Sequence, residues 1–362
     1  MNSNTDLHFA LEAKYYTSPD LFEKERSSLQ SKTWLFACHE SEIPNAGDYY
    51  VFELCGENLF VIRGKDGQER TFYNVCQHRA HQLVKGKGNC RLIICPYHSW
   101  TYELEGKLRS GPNLNAVQNL DRDGIKLQQV KTENFHGFIF VNFDANASGM
   151  DEWFPGIRET LAEYVPDLPL LKPMQWIEIP EKCNWKTSVE NHSECYHCQI
   201  NHKAFSEGVI DPSTYDIQPQ GYCLRHTTQM NKFEAMTYDV DLSIPHATDY
   251  TTFLLWPMFA FQVYPGNMLN TYHWRPHDVD HCTVWRGWFS INGEFDEVID
   301  KLAVQDRATT VAEDIRLVES VGRGLKSRGY KPGPLVVDPA CGVNSEHSIM
   351  HLHRWFREAI DF

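Results

Sequence analysis

The sequence predicts an α+β protein in which an N-terminal all-β unit is followed by a unit that joins helices to an antiparallel sheet. Three observations carry this. From about 48 to 145 short apolar runs alternate with turn residues, as in "DYYVFELCGENLFVIRGKDGQERTFYNV" and "GFIFVNF", the signature of short strands. Residues 250–292 return to that pattern around the turns "YPGN" and "RPHDVDH". Helical spacing marks "DEWFPGIRETLAEYV" and a longer run from about 294 to 328, where apolar residues recur every three or four positions.

At 362 residues the chain is long for a single core. Residues 7–35 read as helical, with Leu21, Phe22 and Leu29 on one apolar face. The expected division is a helical segment over 1–33, an all-β domain over 34–150 and a mixed domain over 151–362, with "DLPLLKPM" as a connector near 167–174. Hydrophobic residues at 42% are ample for buried cores. A net charge of −14 argues against nucleic-acid or anionic-membrane partners, because phosphate contacts need clustered lysine and arginine. No apolar run approaches the roughly 18 residues that span a bilayer. The N-terminus "MNSNTDLHFALEAKYY" lacks a basic-then-apolar signal. A cytoplasmic protein with reduced thiols is therefore the expectation for its eleven cysteines.

The densest chemistry lies in "CQHRAHQLVKGKGNCRLIICPYHSW", residues 76–100. Cys76 and His78, then Cys95 and His98, form two thiol–imidazole pairs separated by 16 residues. Zinc accepts such a set, and so does a Rieske [2Fe–2S] centre, which puts two cysteines on one iron and two histidines on the other. The C-x-H spacing is tighter than a usual zinc-finger pair, and each pair sits where a strand meets a turn. Cys90 lies between the pairs and reads as a packing residue.

A second cluster, "NWKTSVENHSECYHCQINH", holds His192, Glu194, His197 and His202 within eleven residues. Two histidines and a carboxylate would make an open iron site. On a regular helix Glu194 and His197 share a face, whereas His197 and His202 fall about 140° apart and meet one ion only if the helix breaks. His192 is no worse placed, and a polar, solvated helix explains the same letters. The third ligand must be distant. In "VAEDIRLVESVGRGLKS" Ile315 and Val318 lie within about 40° of Val311, and Asp314 about 60° away at the stripe's edge. Glu313, Arg316 and Arg323 fall on the polar side. A carboxylate turned toward a core needs a partner, and a metal or an arginine would serve.

Together these motifs resemble the catalytic alpha subunit of the Rieske non-haem iron oxygenases. The first stretch matches C-x-H-R followed by C-P-x-H-x-W, with Ala80 where glycine is commoner. Asn184–Trp185–Lys186 precede Glu194, His197 and His202 at the family's spacing, and Glu313–Asp314 open its E-D-x-x-x-x-E segment. "HRAH" and Glu194, in place of the usual aspartate, resemble the branch that oxidises carnitine, betaine and choline.

The resemblance implies a Rieske domain followed by a helix-grip catalytic domain. Cys76, His78, Cys95 and His98 would bind the cluster, with Tyr97 donating its hydroxyl to a cluster sulfur. His197, His202 and Asp314 would hold mononuclear Fe(II), and Glu194 would link that iron to the cluster of the next subunit in a homotrimer. Electrons would come from NADH or NADPH through a separate flavin and iron–sulfur reductase, since this chain has no G-x-G-x-x-G after a strand. O2 would be the co-substrate. Trp256, Phe261 and Tyr264, in "TTFLLWPMFAFQVYPGNMLNTYHW", would wall the substrate pocket, the aromatics facing a trimethylammonium group. The implied reaction is mono-oxygenation of a methylated or quaternary amine, by N-demethylation or C–N cleavage. Aromatic-ring dioxygenation is the alternative within the family; a zinc hydrolase or a Rieske electron carrier are the alternatives outside it.

Overall fold

The computed structural model describes residues 7–230, 238 and 240–360. Residues 1–6, part of the stretch read for a signal, lie outside these. The chain separates into two compact units, one over residues 30–150 and the other joining residues up to 29 with those from 151 onward. The N-terminal helical segment thus divides at 29/30, and most of it belongs with the C-terminal unit.

In the unit over 30–150, β1 (Leu35–His39), β2 (Asp48–Leu54), β3 (Glu57–Arg63), β4 (Glu69–Tyr73), β5 (Lys87–Asn89), β9 (Gln129–Phe135) and β10 (Phe138–Asn142) form an antiparallel sheet ordered β1-β10-β9-β4-β3-β2-β5. A small sheet of β6 (Ile93–Ile94), β7 (Thr101–Tyr102) and β8 (Leu108–Ser110) stands apart. Side chains of a strand alternate between faces, and β3 uses both. Leu59 and Val61 enter a core with Ile43, Val130 and Ile139. Phe60 and Ile62 enter another with Ile93, Tyr102, Cys76 and Cys95. That second core carries the two thiols of the first motif.

The C-terminal unit is built on β11 (Leu171–Glu181), β12 (Asp216–Gln220), β13 (Cys223–Gln229), β14 (Asp249–Leu255), β15 (Phe259–Tyr264), β16 (Met268–Asp278) and β17 (His281–Ile291). They form an antiparallel sheet in which β12 to β17 meander and β11 closes against β17. All six residues of β15 are buried, so both of its faces are covered. The helices used below are α1 (Pro19–Lys24), α2 (Trp185–His192), α3 (Cys198–Asn201), α4 (Lys203–Gly208), α5 (Glu297–Asp306), α6 (Ala312–Gly324) and α7 (His347–Ile360). The helix expected over 294–328 is interrupted by a π turn, Arg307–Val311. The N-terminal helix is likewise broken: α1 passes into a π turn, Glu25–Leu29, and a 3-10 turn, Gln30–Lys32. Among the described residues no helix is long and apolar enough to cross a membrane.

The N-W-K letters are explained by what they bind. Asn184 caps α2 by accepting from Lys186 N at 3.1 Å, and its amide donates to Tyr16 O at 3.0 Å. Trp185 Nε1 donates to Glu25 Oε2 at 3.0 Å, and Lys186 Nζ pairs with Glu25 Oε1. Both ions of that pair are 0% exposed. The N-terminal segment is thereby fastened to the start of α2, the helix that leads into the second motif.

Where β11 meets α2, the Cys183 and Cys282 thiols donate to one oxygen of Glu181 at 3.7 and 3.6 Å, all three residues being buried. Burial pushes the Glu181 carboxyl up to about 7 from its ordinary 4.5. The neutral acid is therefore the form the fold favours. Its contribution is complete below pH 4.5 and is lost as pH rises through 7. Glu181→Gln is expected to remove that loss. In denaturant titrations above pH 8 the variant should exceed the parent by on the order of 2 kcal/mol, and the gap should close toward pH 5.

Candidate metal centres

The two loops of the first motif share one backbone design despite their different spacing. Cys76 N donates to His81 O and Ala80 N to Cys76 O; Cys95 N donates to Trp100 O and Ser99 N to Cys95 O, all within 2.8–3.0 Å. Each turn ends on a left-handed residue, Ala80 and Ser99 both at φ 56°. That region favours glycine by about 1 kcal/mol, so the alanine and the serine are held there by the loop's hydrogen bonds. Both thiols are buried, whereas His78 is exposed and His98 partly so. The imidazoles lie with ring centres 4.7 Å apart, and His78 stacks on Trp100 at 4.6 Å. Sulfur inside and nitrogen outside is the donor arrangement of a cluster whose two irons differ in ligands.

The hydroxyl at a cysteine sulfur is not that of Tyr97. Tyr97 is 52% exposed, its ring 3.7 Å from that of His98 and under the Arg79 guanidinium. Tyr102, fully buried on β7, places its hydroxyl 3.2 Å from Cys76 Sγ and accepts from Gln77 N at 3.1 Å. A residue at the loop tip faces solvent, while the first strand after the loop lies beneath the sulfur.

In the second motif the helix does break. His197 precedes α3, a single turn, and His202 follows it at φ −114°, ψ 73° before α4 begins. The break brings His197 Nε2 and His202 Nε2 to 3.0 Å. Asp314, in the first turn of α6 after the π turn, sets Oδ1 3.0 Å from His202 Nε2 and 3.4 Å from His197 Nε2. His192 goes elsewhere. Its Nε2 meets Thr252 Oγ1 at 3.1 Å between Tyr272 and Trp274, and burial pushes it down to about 3.

The far nitrogen of each clustered imidazole is occupied. His197 Nδ1 pairs with Glu194 Oε1, and His202 Nδ1 with Glu313 Oε2 at 2.8 Å. A ring that donates from Nδ1 to a carboxylate presents a lone pair at Nε2. Two such lone pairs and a carboxylate oxygen therefore converge, Asp314 Oδ1 being shielded from water and facing both Nε2 atoms. A cation resolves that repulsion. Ligand atoms about 3 Å apart suit an ion held at about 2.1 Å, and two histidines with one carboxylate suit non-haem iron. The residues fit the ion. Without it protons gather here: burial opposes a charged His197, but Asp314 and Glu194 prevail and push it up to about 10. Glu313 was placed on the polar side of α6 by its wheel angle; being next to Asp314 on the first turn, it reaches the ring of His202 instead.

A cavity of about 720 Å³ opens beside this cluster, walled by His197, Glu190, Glu194, Glu346, Tyr16 and Tyr330 among others, with no lysine or arginine among the described residues that line it. Trp256, Phe261 and Tyr264 are not on its wall. Trp256 packs on Tyr222 and Trp355, Phe261 on Phe259, and Tyr264 donates its hydroxyl to Asp306 at 2.7 Å. Phe261 and Tyr264 lie on β15, whose faces are both covered, and Trp256 just before it is 3% exposed, so these aromatics are core. The expectation of reduced thiols is also corrected at one place: Cys195 and Cys198 form a disulfide, Cα atoms 4.9 Å apart, while the other nine cysteines are free. A C-x-x-C turn holds its Cα atoms within bridging range.

Comparison with known proteins identifies this layout. Residues 33–121 match the Rieske [2Fe-2S] domain, and residues 168–361 match the ring hydroxylating alpha subunit (catalytic domain). The chain belongs to the ring-hydroxylating oxygenase alpha-subunit family. The carnitine monooxygenase oxygenase subunit of Escherichia coli is 34% identical over 97% of this chain and 94% of its own length. The glycine betaine monooxygenase oxygenase subunit of Pseudomonas aeruginosa is 35% identical, covering 99% and 90%. A quaternary ammonium Rieske monooxygenase solved with L-carnitine superposes with TM-score 0.84 at 32% identity, covering 98% of this chain and 97% of that one. This Rieske oxygenase is an oxidoreductase whose cofactors are a [2Fe–2S] cluster and a mononuclear iron, used with O2 and with electrons from a reductase.

Proposed function

We propose that this oxygenase subunit mono-oxygenates a small quaternary or N-methylated amine, splitting it by N-demethylation or C–N cleavage. The observation that carries the substrate class is the cavity beside His197, whose lining among the described residues holds three glutamates, two tyrosines and no lysine or arginine. Carboxylates and aromatic faces attract a trimethylammonium group. The names of the relatives, carnitine and glycine betaine monooxygenase subunits, point the same way.

On this reading Cys76, His78, Cys95 and His98 hold the cluster, and His197, His202 and Asp314 hold the mononuclear iron. When bound, the first supplies single electrons and the second activates O2. Glu313 keeps the proton of His202 at Nδ1 and so keeps Nε2 for the metal. Glu194 does the same for His197 and, at the cavity wall, serves as the bridge toward the cluster of a neighbouring copy in a homotrimer. Leu317, Val318 and Ile349 on the wall limit water around the reacting end.

Tyr102 would donate to the Cys76 sulfur and favour the more negative, reduced cluster. Tyr102→Phe is expected to lower the midpoint potential by on the order of 50 mV, the value of one hydrogen bond, in a spectroscopic redox titration. The substrate class is tested by O2 uptake with a generic reductase. Carnitine, glycine betaine or choline should stimulate uptake, with release of formaldehyde or a free amine. Stimulation by aromatic acids alone would overturn the reading.

A further inference from the structure

The bonded pair Cys195–Cys198 is the one disulfide among the described residues, and it sits inside the ligand segment. Cys198 follows His197 directly, and Cys195 lies between Glu194 and Tyr196. The pair takes part in the backbone bonds that close the turn. Cys198 N donates to Cys195 O at 3.1 Å, and His202 N and Ser206 Oγ donate to Cys198 O at 2.8 and 2.9 Å. Glu194 Oε2 accepts from His197 N at 3.3 Å. Both cysteines are buried, 3% and 5% exposed, against Phe205, Ile210 and Tyr215. Reductants of protein size are thereby kept out.

We infer that Cys195 and Cys198 are a reversible modification site for hydrogen peroxide, and that their bonded state clamps the turn carrying His197 and Glu194. The chemistry balances as a two-electron exchange. One thiolate attacks peroxide, the O–O bond breaks and water leaves; the second thiol displaces a further water from the resulting sulfenic acid as the S–S bond forms. Two thiols are oxidised and one peroxide becomes two waters. A small thiol or phosphine reductant reverses the step. The bonded turn presents His197 preorganised beside His202, and the open turn must be ordered by the metal at the cost of affinity. Loss of an orienting group around a ligand costs 10- to 100-fold in metal affinity.

The inference about iron rests on the reading of His197, His202 and Asp314 as its ligands; the chemistry of the pair does not. Holoenzyme is divided into peroxide-treated and phosphine-reduced samples and challenged with a ferrous chelator under nitrogen. Iron loss is followed by metal analysis, the cluster by its visible absorption, and the two thiols by alkylation and peptide mass. The expected result is a pair closed to alkylation after peroxide and open after reduction, with the non-cluster iron lost about tenfold faster when open. Cys195→Ser and, separately, Cys198→Ser should lose iron at the fast rate in both samples while keeping the cluster absorption. Thiols that remain alkylatable after peroxide, or equal iron loss from both samples, would overturn the proposal. Iron that is absent beyond the cluster while the pair still opens and closes would instead fail the reading of the ligands.

Discussion

His202→Ala is expected to abolish oxygenase turnover, to below about a thousandth of the parent, and to release the non-cluster iron. His202 contributes twice to the cluster. Its Nε2 stands 3.0 Å from both His197 Nε2 and Asp314 Oδ1, and its Nδ1 is held by Glu313 at 2.8 Å. Alanine leaves two donors for an ion that needs three, and a buried Asp314 oxygen with one imidazole fewer to face. Loss of an outer partner alone costs 10- to 100-fold in affinity, so loss of the ligand itself must exceed that. Metal analysis and O2 uptake read the two effects. The visible absorption of the cluster, carried by the first motif, should be unchanged.

Glu25→Ala is expected to cost about 3–5 kcal/mol. Lys186 is 0% exposed and Glu25 is its ion-pair partner. The variant strands a buried ammonium and removes the acceptor of Trp185 Nε1. For a unit of this size such a loss lowers the melting temperature by roughly 10 °C. Because the pair is fully desolvated, replacing both partners by apolar residues, Glu25→Leu with Lys186→Met, should recover most of the difference. Calorimetry of the single and double variants checks both statements. Equal melting temperatures for parent and Glu25→Ala would show that the pair is not what fastens the N-terminal segment to α2.

The legible part of this molecule was the part written in local pattern. Strand alternation in 48–145 and 250–292 placed most of the first sheet and β14 to β17 of the second, because a strand's period is short enough to be read from a few residues; β1, β11, β12 and β13 lie outside those stretches. The ligand candidates were legible because thiols, imidazoles and carboxylates at close spacing have few other uses. The condition set by the helical wheel, that His197 and His202 could meet only across a break, describes the interruption at α3 and α4.

The remainder depends on contacts that sequence distance hides. Glu25 and Lys186 are 161 residues apart, and Glu313 reaches a ring 111 residues away. The π turn at Arg307–Val311 interrupts a helix that spacing alone draws as continuous over 294–328. Trp256, Phe261 and Tyr264 looked like a pocket because alternation shows which residues share a face. It does not show whether the opposite face is covered too.

The central claim is that one chain carries an iron–sulfur cluster and a separate iron on His197, His202 and Asp314. Iron analysis of purified parent and His202→Ala, beside their visible absorption, tests it most directly. The account predicts roughly three irons per chain in the parent, one fewer in the variant, and the same cluster absorption in both. A colourless protein, or a parent and variant with equal iron, would contradict it.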